Sequence, residues 1–347
     1  ATLGTPTILM WQIHNYCFYN DSEEYIMLHN VSQPSLTIIS PCYNEQGVLI
    51  NSIPIILYEL NQLKQQHKIH SNSQILLIDD GSKDNTWEEI STLHKKYPCE
   101  IKALKLSRNF GHQNALFAGM TYITKNLQSD ICITMDCDLQ DDPKIIGAMI
   151  EQFQNGNDIV YGVRSKREKD SFLKRFFAQS YYRILNNLGV EIIPDHADYR
   201  LLSSKVLTKI QDFHEYNLFL RGLVPLIGYR SSQVFYKREE RIAGSSKYNI
   251  TRMIHLAING VCSFSSTPLL FILWLGILIS LFSLALGIWA LGVKFFGGSI
   301  SGWASTVVPM YFLGGIQLFT LGIIGIYIGK IFDEVKARPK YIIDKEL

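Results

Sequence analysis

Residues 131–143 read ICITMDCDLQDDP. Five apolar or small residues open the stretch, a run short enough for one buried strand. It turns polar at Asp136, and Pro143 suits the first turn of a following helix. The same switch recurs upstream. Residues 36–40 (LTIIS) run into Pro41-Cys42-Tyr43-Asn44-Glu45, followed by an amphipathic stretch over about 45–66. Residues 74–78 (QILLI) run into Asp79-Asp80-Gly81-Ser82, and Asp84-Asn85-Thr86 starts a helix that reaches about Tyr97. A third strand is predicted over 101–106, a helix over 111–126 and a fifth strand over 159–162. Strands alternating with helices predict an α/β domain with a mostly parallel sheet covered on both faces. Such sheets bind ligands at the carboxyl ends of their strands. Three polar clusters stand at those ends.

Charge divides the chain. It has 347 residues, enough for two structural units. Between residues 254 and 329, Lys294 is the only Asp, Glu, Lys or Arg. That excludes a simple soluble enzyme. A hydrophobic fraction of 47% excludes a disordered chain, and a net charge of +2 gives no support for nucleic-acid binding. Six cysteines (17, 42, 99, 132, 137, 262) form no CxxC pair and read as reduced, mostly buried thiols.

Residues 268–293 and 305–329 carry no charge, and each exceeds the roughly 20 residues that cross a bilayer. We expect a transmembrane hairpin over 267–329. Lys247 and Arg252 precede it, and Lys330, Lys336, Arg338 and Lys340 follow it. Positive charge stays cytoplasmic, so the large domain (35–248) and the tail (330–347) are both expected there. Gly325 and Gly329 form a GxxxG that suits helix packing, and a homo-oligomer with it, although glycine is also common in membrane helices. Basic residues over 164–183, with apolar ones at helical spacing, predict an interfacial helix at about 170–190, and 249–266 resembles it; two core-packed helices are the alternative. Residues 1–34 contain no Lys or Arg and lack a signal-peptide pattern. They form an arm to which no role is assigned.

Each cluster has a chemistry. Asp136 and Asp138 can chelate one hard cation together with diphosphate oxygens, with Gln140 as a further ligand. Alone, such a pair is also a common acidic turn. Asp80 can accept from a base N–H or a ribose hydroxyl. Gly81 allows a tight turn, and Ser82 or Asp84 is read as a helix cap. Arg108-Asn109-Phe110-Gly111-His112 joins strand to helix, either as an anion site or as a plain loop. His112 is read as a helix-start residue rather than a base.

The ordered set P-C-Y-N-E, D-D-G-S-x-D-x-T, S-R-N-F-G-H-Q-x-A, D-C-D-L-Q-D-D-P, G-V-R, D-Y-R-L-L, F-L-R-G-L and A-G-S-S-K-Y, over about 35–335, resembles the polyprenyl-phosphate glycosyltransferases of glycosyltransferase family 2. These include bactoprenol glucosyltransferases and dolichyl-phosphate mannose synthases. The resemblance implies a GT-A fold and an inverting transfer of one sugar from a nucleotide sugar to a polyprenyl phosphate at the bacterial inner membrane. By position, Pro41, Tyr43, Glu45 and Asp80 would bind the nucleoside. Asp136, Asp138 and Gln140 would hold Mg²⁺ or Mn²⁺ on the diphosphate, which also gives Asp138 a catalytic role. Arg164 and Arg175 would meet the lipid phosphate. Asp198 would be a base or an acceptor-orienting group. Arg221, Arg241, Ser246 and Lys247 would close over the donor phosphates. UDP-glucose is the donor expected by family analogy, with GDP-mannose the alternative. A non-catalytic membrane scaffold is the rival reading. One departure, D-D-P where relatives often show D-P-P, falls after the metal ligands.

Overall fold

The computed structural model describes residues 33–165, 196–215, 218–237 and 303–347, with parts of 269–296. Its first half alternates as expected: β1 (Leu36–Cys42), α1 (Leu49–Gln65), β2 (Gln74–Asp79), α2 (Thr86–Lys96), β3 (Ile101–Leu106), α3 (His112–Tyr122), β4 (Ile131–Thr134), α4 (Ile146–Gln154) and β5 (Ile159–Arg164). Then come β6 (His196–Ser203), α5 (Ser204–Ile210), α6 (Leu220–Leu226), β7 (Ser231–Tyr236), α7 (Trp303–Val335) and β8 (Ile343–Glu346).

The strands form one sheet in the order β7-β5-β6-β4-β1-β2-β3-β8. β1 pairs in parallel with both β2 and β4, β2 with β3, and β5 with β7. β6 runs antiparallel between β4 and β5, and β8 runs antiparallel along β3. The sheet is therefore mixed but mostly parallel among the described residues. The expected strands are present. The D-Y-R-L-L motif lies in β6.

All seven residues of β1 are buried, which explains its nearly unbroken apolar sequence. Alternation then selects the face. Ile38 and Leu77 pack with Ile53, Ile56 and Leu60 of α1 and Ile90 of α2. Ile39, Leu76 and Ile78 pack with Leu116 and Met120 of α3. Burying each such aliphatic side chain contributes roughly 1.5–3 kcal/mol. The expectation of reduced, buried thiols holds for Cys42, Cys132 and Cys137, whereas Cys99 is exposed.

α7 covers the second expected span and continues past Gly329 through Lys330, Asp333 and Glu334. At 1.5 Å per residue its 33 residues reach about 50 Å. Its stretch Phe312–Val335 has mean hydropathy 1.8, and none of it is buried within the protein. Among the described residues it is the one helix long and apolar enough to cross a bilayer. Within the first apolar run, residues 272–279 are helical, and much of the rest lies outside the described residues. So do the arm before residue 33 and the segments expected as interfacial helices.

The stretch 330–347, expected as a tail, is divided between α7 and the edge strand β8. Leu347 exchanges two backbone hydrogen bonds with Ala103, at 2.9 and 3.0 Å. The Lys340 ammonium donates to the Phe213 carbonyl (2.7 Å) and lies 4.5 Å from the Phe117 ring centroid. Charged residues on an edge strand discourage further pairing, and here they also mask the strand in the sequence.

α3 lies unusually close to the sheet. A Cβ at Gly119 would sit 2.5 Å from Ile78 Cδ1 and 2.8 Å from Ile39 Cγ2. Both neighbours are fully buried. Gly119→Ala should therefore destabilise the domain by about 1–3 kcal/mol through overpacking, read as a lowered thermal midpoint in detergent. An unchanged or raised midpoint would show that the layer gives way without cost.

Candidate active site

After β3 the chain crosses back and adds β4 on the other side of β1. The crevice opened by that reversal lies at the carboxyl ends of β1 and β4, where sheets of this kind bind ligands. A cavity of about 250 Å³ occupies it, lined by Pro41, Cys42, Tyr43, Glu45, Asp80, Asn109, His112, Asp136, Cys137 and Asp138. Six residues chosen from sequence thus meet in one place: Pro41, Tyr43, Glu45, Asp80, Asp136 and Asp138. Arg175, Arg241, Ser246 and Lys247 lie outside the described residues.

The D-D-G-S-x-D-x-T motif largely builds the loop beside it. Ser82 Oγ accepts from Asn44 N (3.0 Å), Thr86 Oγ1 from Glu45 N (2.9 Å) and Asp84 from Gln46 N (3.2 Å). Asp84 also accepts from Thr86 N at 3.1 Å, so the capping expectation captures half of its work. Asn44, held at a left-handed φ of 54°, turns the chain past the cavity.

Asp80 accepts from Phe110 N (2.7 Å) and Gly111 N (2.9 Å), fixing the loop that starts α3. Burial raises its pKa, and the two N–H groups offset only part of that. Gly81 next to it is obligatory: its φ is +64°, and a Cβ there would meet Arg108 C at 2.2 Å. Arg108 stacks 4.0 Å from the Phe110 ring centroid.

Asp136 and Asp138 follow β4. Leu139 between Asp138 and Gln140 has φ 56°, a costly conformation for a bulky residue and one that clusters at functional sites. Gln140 is buried, and its N–H donates to Asp138 Oδ1 at 3.2 Å. The Asp136 side chain is 44% exposed to the cavity. Even so, loss of water around it, opposed by His112 but reinforced by Asp141, Asp198 and Asp138, pushes its carboxyl up to about 6. Oxygen donors crowded in this way suit a hard divalent cation. No three His, Cys, Asp or Glu side chains converge into a cage among the described residues, so the two carboxylates would hold a cation jointly with ligand oxygens.

Asp198 is the hub of an adjoining cluster that reaches the cavity through His112. Arg200 donates to Oδ1, Arg221 donates to Oδ1 (3.2 Å) and Oδ2 (3.0 Å), and Gln113 Nε2 donates to Oδ2 (3.3 Å). His112 Nε2 lies 3.4 Å from Oδ2 and 3.9 Å from Asp136 Oδ1. Burial would raise the Asp198 pKa. The hydrogen bond from His112 and the charges of Arg200 and Arg221 outweigh it and hold the carboxyl well below the usual range. The same contacts act in reverse on His112: burial lowers its pKa, but Asp198 and Asp136 raise it on balance. Arg200, fully buried, also donates to the Leu220 carbonyl at 3.0 Å.

Sequence reading placed His112 correctly at the start of α3 and missed its place in the site. It also passed over Gln113 and Tyr236. The available signal was the run G-H-Q after a strand end, because a helix that begins at a ligand crevice presents its first side chains to that crevice. Arg164, assigned to an anion, is found paired with the buried Asp141 (3.3 Å).

The family model described as Glycosyl transferase family 2 matches residues 37–211. A Bacillus subtilis (strain 168) protein named uncharacterized glycosyltransferase YkoT is 45% identical over 319 residues, covering 91% of this chain and 93% of that protein. The bactoprenol glucosyl transferase of Shigella phage SfII is 36% identical over 312 residues, covering 89% and 97%. Among solved structures, mannosyltransferase PcManGT from Pyrobaculum calidifontis, in complex with GDP-Man and Mn²⁺, is similar at TM-score 0.47. It is 14% identical and spans 88% of this chain and 86% of that one.

The hub generates a stability prediction. Asp198→Asn leaves the buried Arg200 without its counter-charge, at a cost of about 3–5 kcal/mol near neutral pH. A depressed carboxyl stabilises the fold above its unfolded pKa of about 3.9, and that contribution is lost as pH falls through the lower folded value. The gap in thermal midpoint between wild type and variant should therefore be full at pH 7 and close as pH drops below about 4. A gap unchanged down to pH 3 would mean that Asp198 is not held as an anion.

Proposed function

The chain belongs to glycosyl transferase family 2, and on that premise we propose that it transfers a single sugar from a nucleotide sugar to a polyprenyl phosphate, with inversion, at the cytoplasmic membrane face. One observation carries the reading. Asp136, Asp138 and His112 line one cavity, and His112 links them to Asp198, which is held by Arg200 and Arg221. A nucleoside diphosphate would use both the acids and the cations around Asp198. The acids hold a cation on its phosphates, and the cations offset the charge that develops as the sugar leaves. Curated relatives named bactoprenol glucosyl transferases support the acceptor class. UDP-glucose is the donor we favour on the same ground.

In this reading Pro41, Tyr43, Glu45 and Asp80 bind the nucleoside, and Asp136, Asp138 and Gln140 hold Mg²⁺ or Mn²⁺. A bound divalent cation neutralises charge on the leaving diphosphate. Arg221 takes donor phosphate oxygens, with Arg241, Ser246 and Lys247 closing over them. Arg164 and Arg175 meet the acceptor phosphate.

Asp198 orients and does not abstract a proton. A phosphate monoester with a second pKa near 6 is already mostly dianionic at neutral pH and needs little help as a nucleophile. An aspartate held well below the usual range is also a poor base. What the reaction lacks is alignment of two anions that repel each other, and fixed arginines supply that. α7, and the apolar run before it, would anchor the domain beside its lipid substrate, with both in the bacterial inner membrane. A homo-oligomer packed through Gly325 and Gly329 fits the same arrangement.

The decisive experiment adds undecaprenyl phosphate and a panel of radiolabelled nucleotide sugars to the purified protein in detergent, with Mg²⁺, Mn²⁺ or EDTA. Label should enter an organic-extractable, mild-acid-labile lipid only with metal, and the active donor names the sugar. GDP-mannose as the sole donor would replace UDP-glucose. Neither transfer nor metal-dependent nucleotide binding would favour the scaffold. Asp136→Ala should abolish turnover and metal-dependent nucleotide binding together. Arg175→Ala should weaken the acceptor while leaving donor affinity nearly intact, and a loss of nucleotide affinity instead would undo the division between the two sites.

A further inference from the structure

A second charged cluster gathers around Arg164, and two of its members, Asp141 and Tyr236, have no role in the reading above. Arg164 ends β5, which runs in the same direction as β4, so it lies at the same edge of the sheet as Asp136. Its Nη2 donates to Asp141 Oδ1 (3.3 Å) and its Nε to the Tyr236 hydroxyl oxygen (3.3 Å). The Tyr236 hydroxyl in turn donates to the same Asp141 oxygen. The triangle joins the ends of β5 and β7 to the loop that carries Asp138 and Gln140. Around it, Tyr199 packs edge-on against Tyr236 at 5.6 Å, and its hydroxyl donates to the Asp142 carbonyl (3.1 Å).

We propose that Asp141 and Tyr236 are positioning residues that hold the Arg164 guanidinium in one orientation for the acceptor phosphate. The inference rests on the reading of Arg164 as an acceptor ligand. Three observations carry it. Asp141 is 1% exposed, and a buried carboxylate beside a site for phosphates works against anion binding unless it serves another group. Arg164 is still 18% exposed. Finally, Asp141 cancels much of the arginine's charge. What remains useful to a phosphate is direction: a fixed planar donor rather than a field. An unrestrained arginine would lose about 2 kcal/mol of rotamer freedom on engaging its ligand, and the triangle removes most of that loss in advance.

The test measures binding of two ligands by the full chain in detergent: farnesyl phosphate as a short acceptor probe, and UDP with Mn²⁺ as the donor probe. Tyr236→Phe deletes one hydroxyl that bonds to both charged groups. It should weaken farnesyl phosphate about tenfold while UDP affinity stays within about twofold. Asp141→Asn should show the same split. On an Arg164→Ala background, Tyr236→Phe should add nothing further for the acceptor. Equal losses for both ligands, or an additive effect on that background, would make the triangle a mere strut and overturn the proposal. Arg164→Ala with unchanged farnesyl phosphate affinity would instead remove the reading of Arg164 on which the proposal rests.

Discussion

Parallel pairing of β1 with both β2 and β4 is the constraint on which the rest of this domain depends. A strand hydrogen-bonded on both edges and covered on both faces has no room for charged side chains and admits only small hydroxyls such as those of Thr37 and Ser40. β1 is accordingly buried along its whole length, and polar chemistry is displaced to its carboxyl end. Since the chain must leave β3 and return on the far side of β1, loops from both halves of the sheet diverge above that end. The crevice follows from topology before any individual side chain is considered. Cavity residues then come from the end of β1, the start of α3 and the loops after β1, β2, β3 and β4.

Charge is distributed over this crevice in two opposed ways. On the β4 side, acids accumulate with too few cations, so Asp136 is driven toward neutrality. On the β6 side, cations surround one acid, so Asp198 stays charged. His112 touches both and moderates the difference. Such an arrangement would be poor design for stability alone, because each crowded carboxylate is costly without a counter-ion. It fits the proposed reading, in which the site would receive a cation and a diphosphate together. The triangle of Asp141, Tyr236 and Arg164 fits this picture: a buried negative charge is kept near the site, tied to an arginine at the rim.

Much of this was legible in the sequence. The strand–polar turn–helix pattern around residues 36–45, 74–86 and 131–143 located the crevice, since buried parallel strands are short apolar runs and their ligands sit where the runs stop. D-x-D and its neighbours were therefore readable as a site. Less legible were β6, β7 and β8. β6 carries Asp198 and Arg200 inside a strand, where charged residues argue against burial until their partners are known. β7 alternates only weakly, and β8 is mostly charged. Tyr236 was invisible for a related reason: it works through residues far away in the chain, Asp141 and Arg164.

The sequence by itself determined the alternation of strands and helices, the division between a charged domain and an almost uncharged segment, and the identities of the acids after β4. These are local properties, set by apolar periodicity and by the inability of long uncharged runs to stay in water. Only the tertiary structure decided what each polar residue does. It made Asp80 a loop anchor, Asp198 a fully engaged anion, and Arg164 a donor held by a buried acid and a tyrosine. The physical reason is that a carboxylate's role depends on which charges and N–H groups surround it, and those come together only when β5, β6 and β7 fold back against the loop that follows β4.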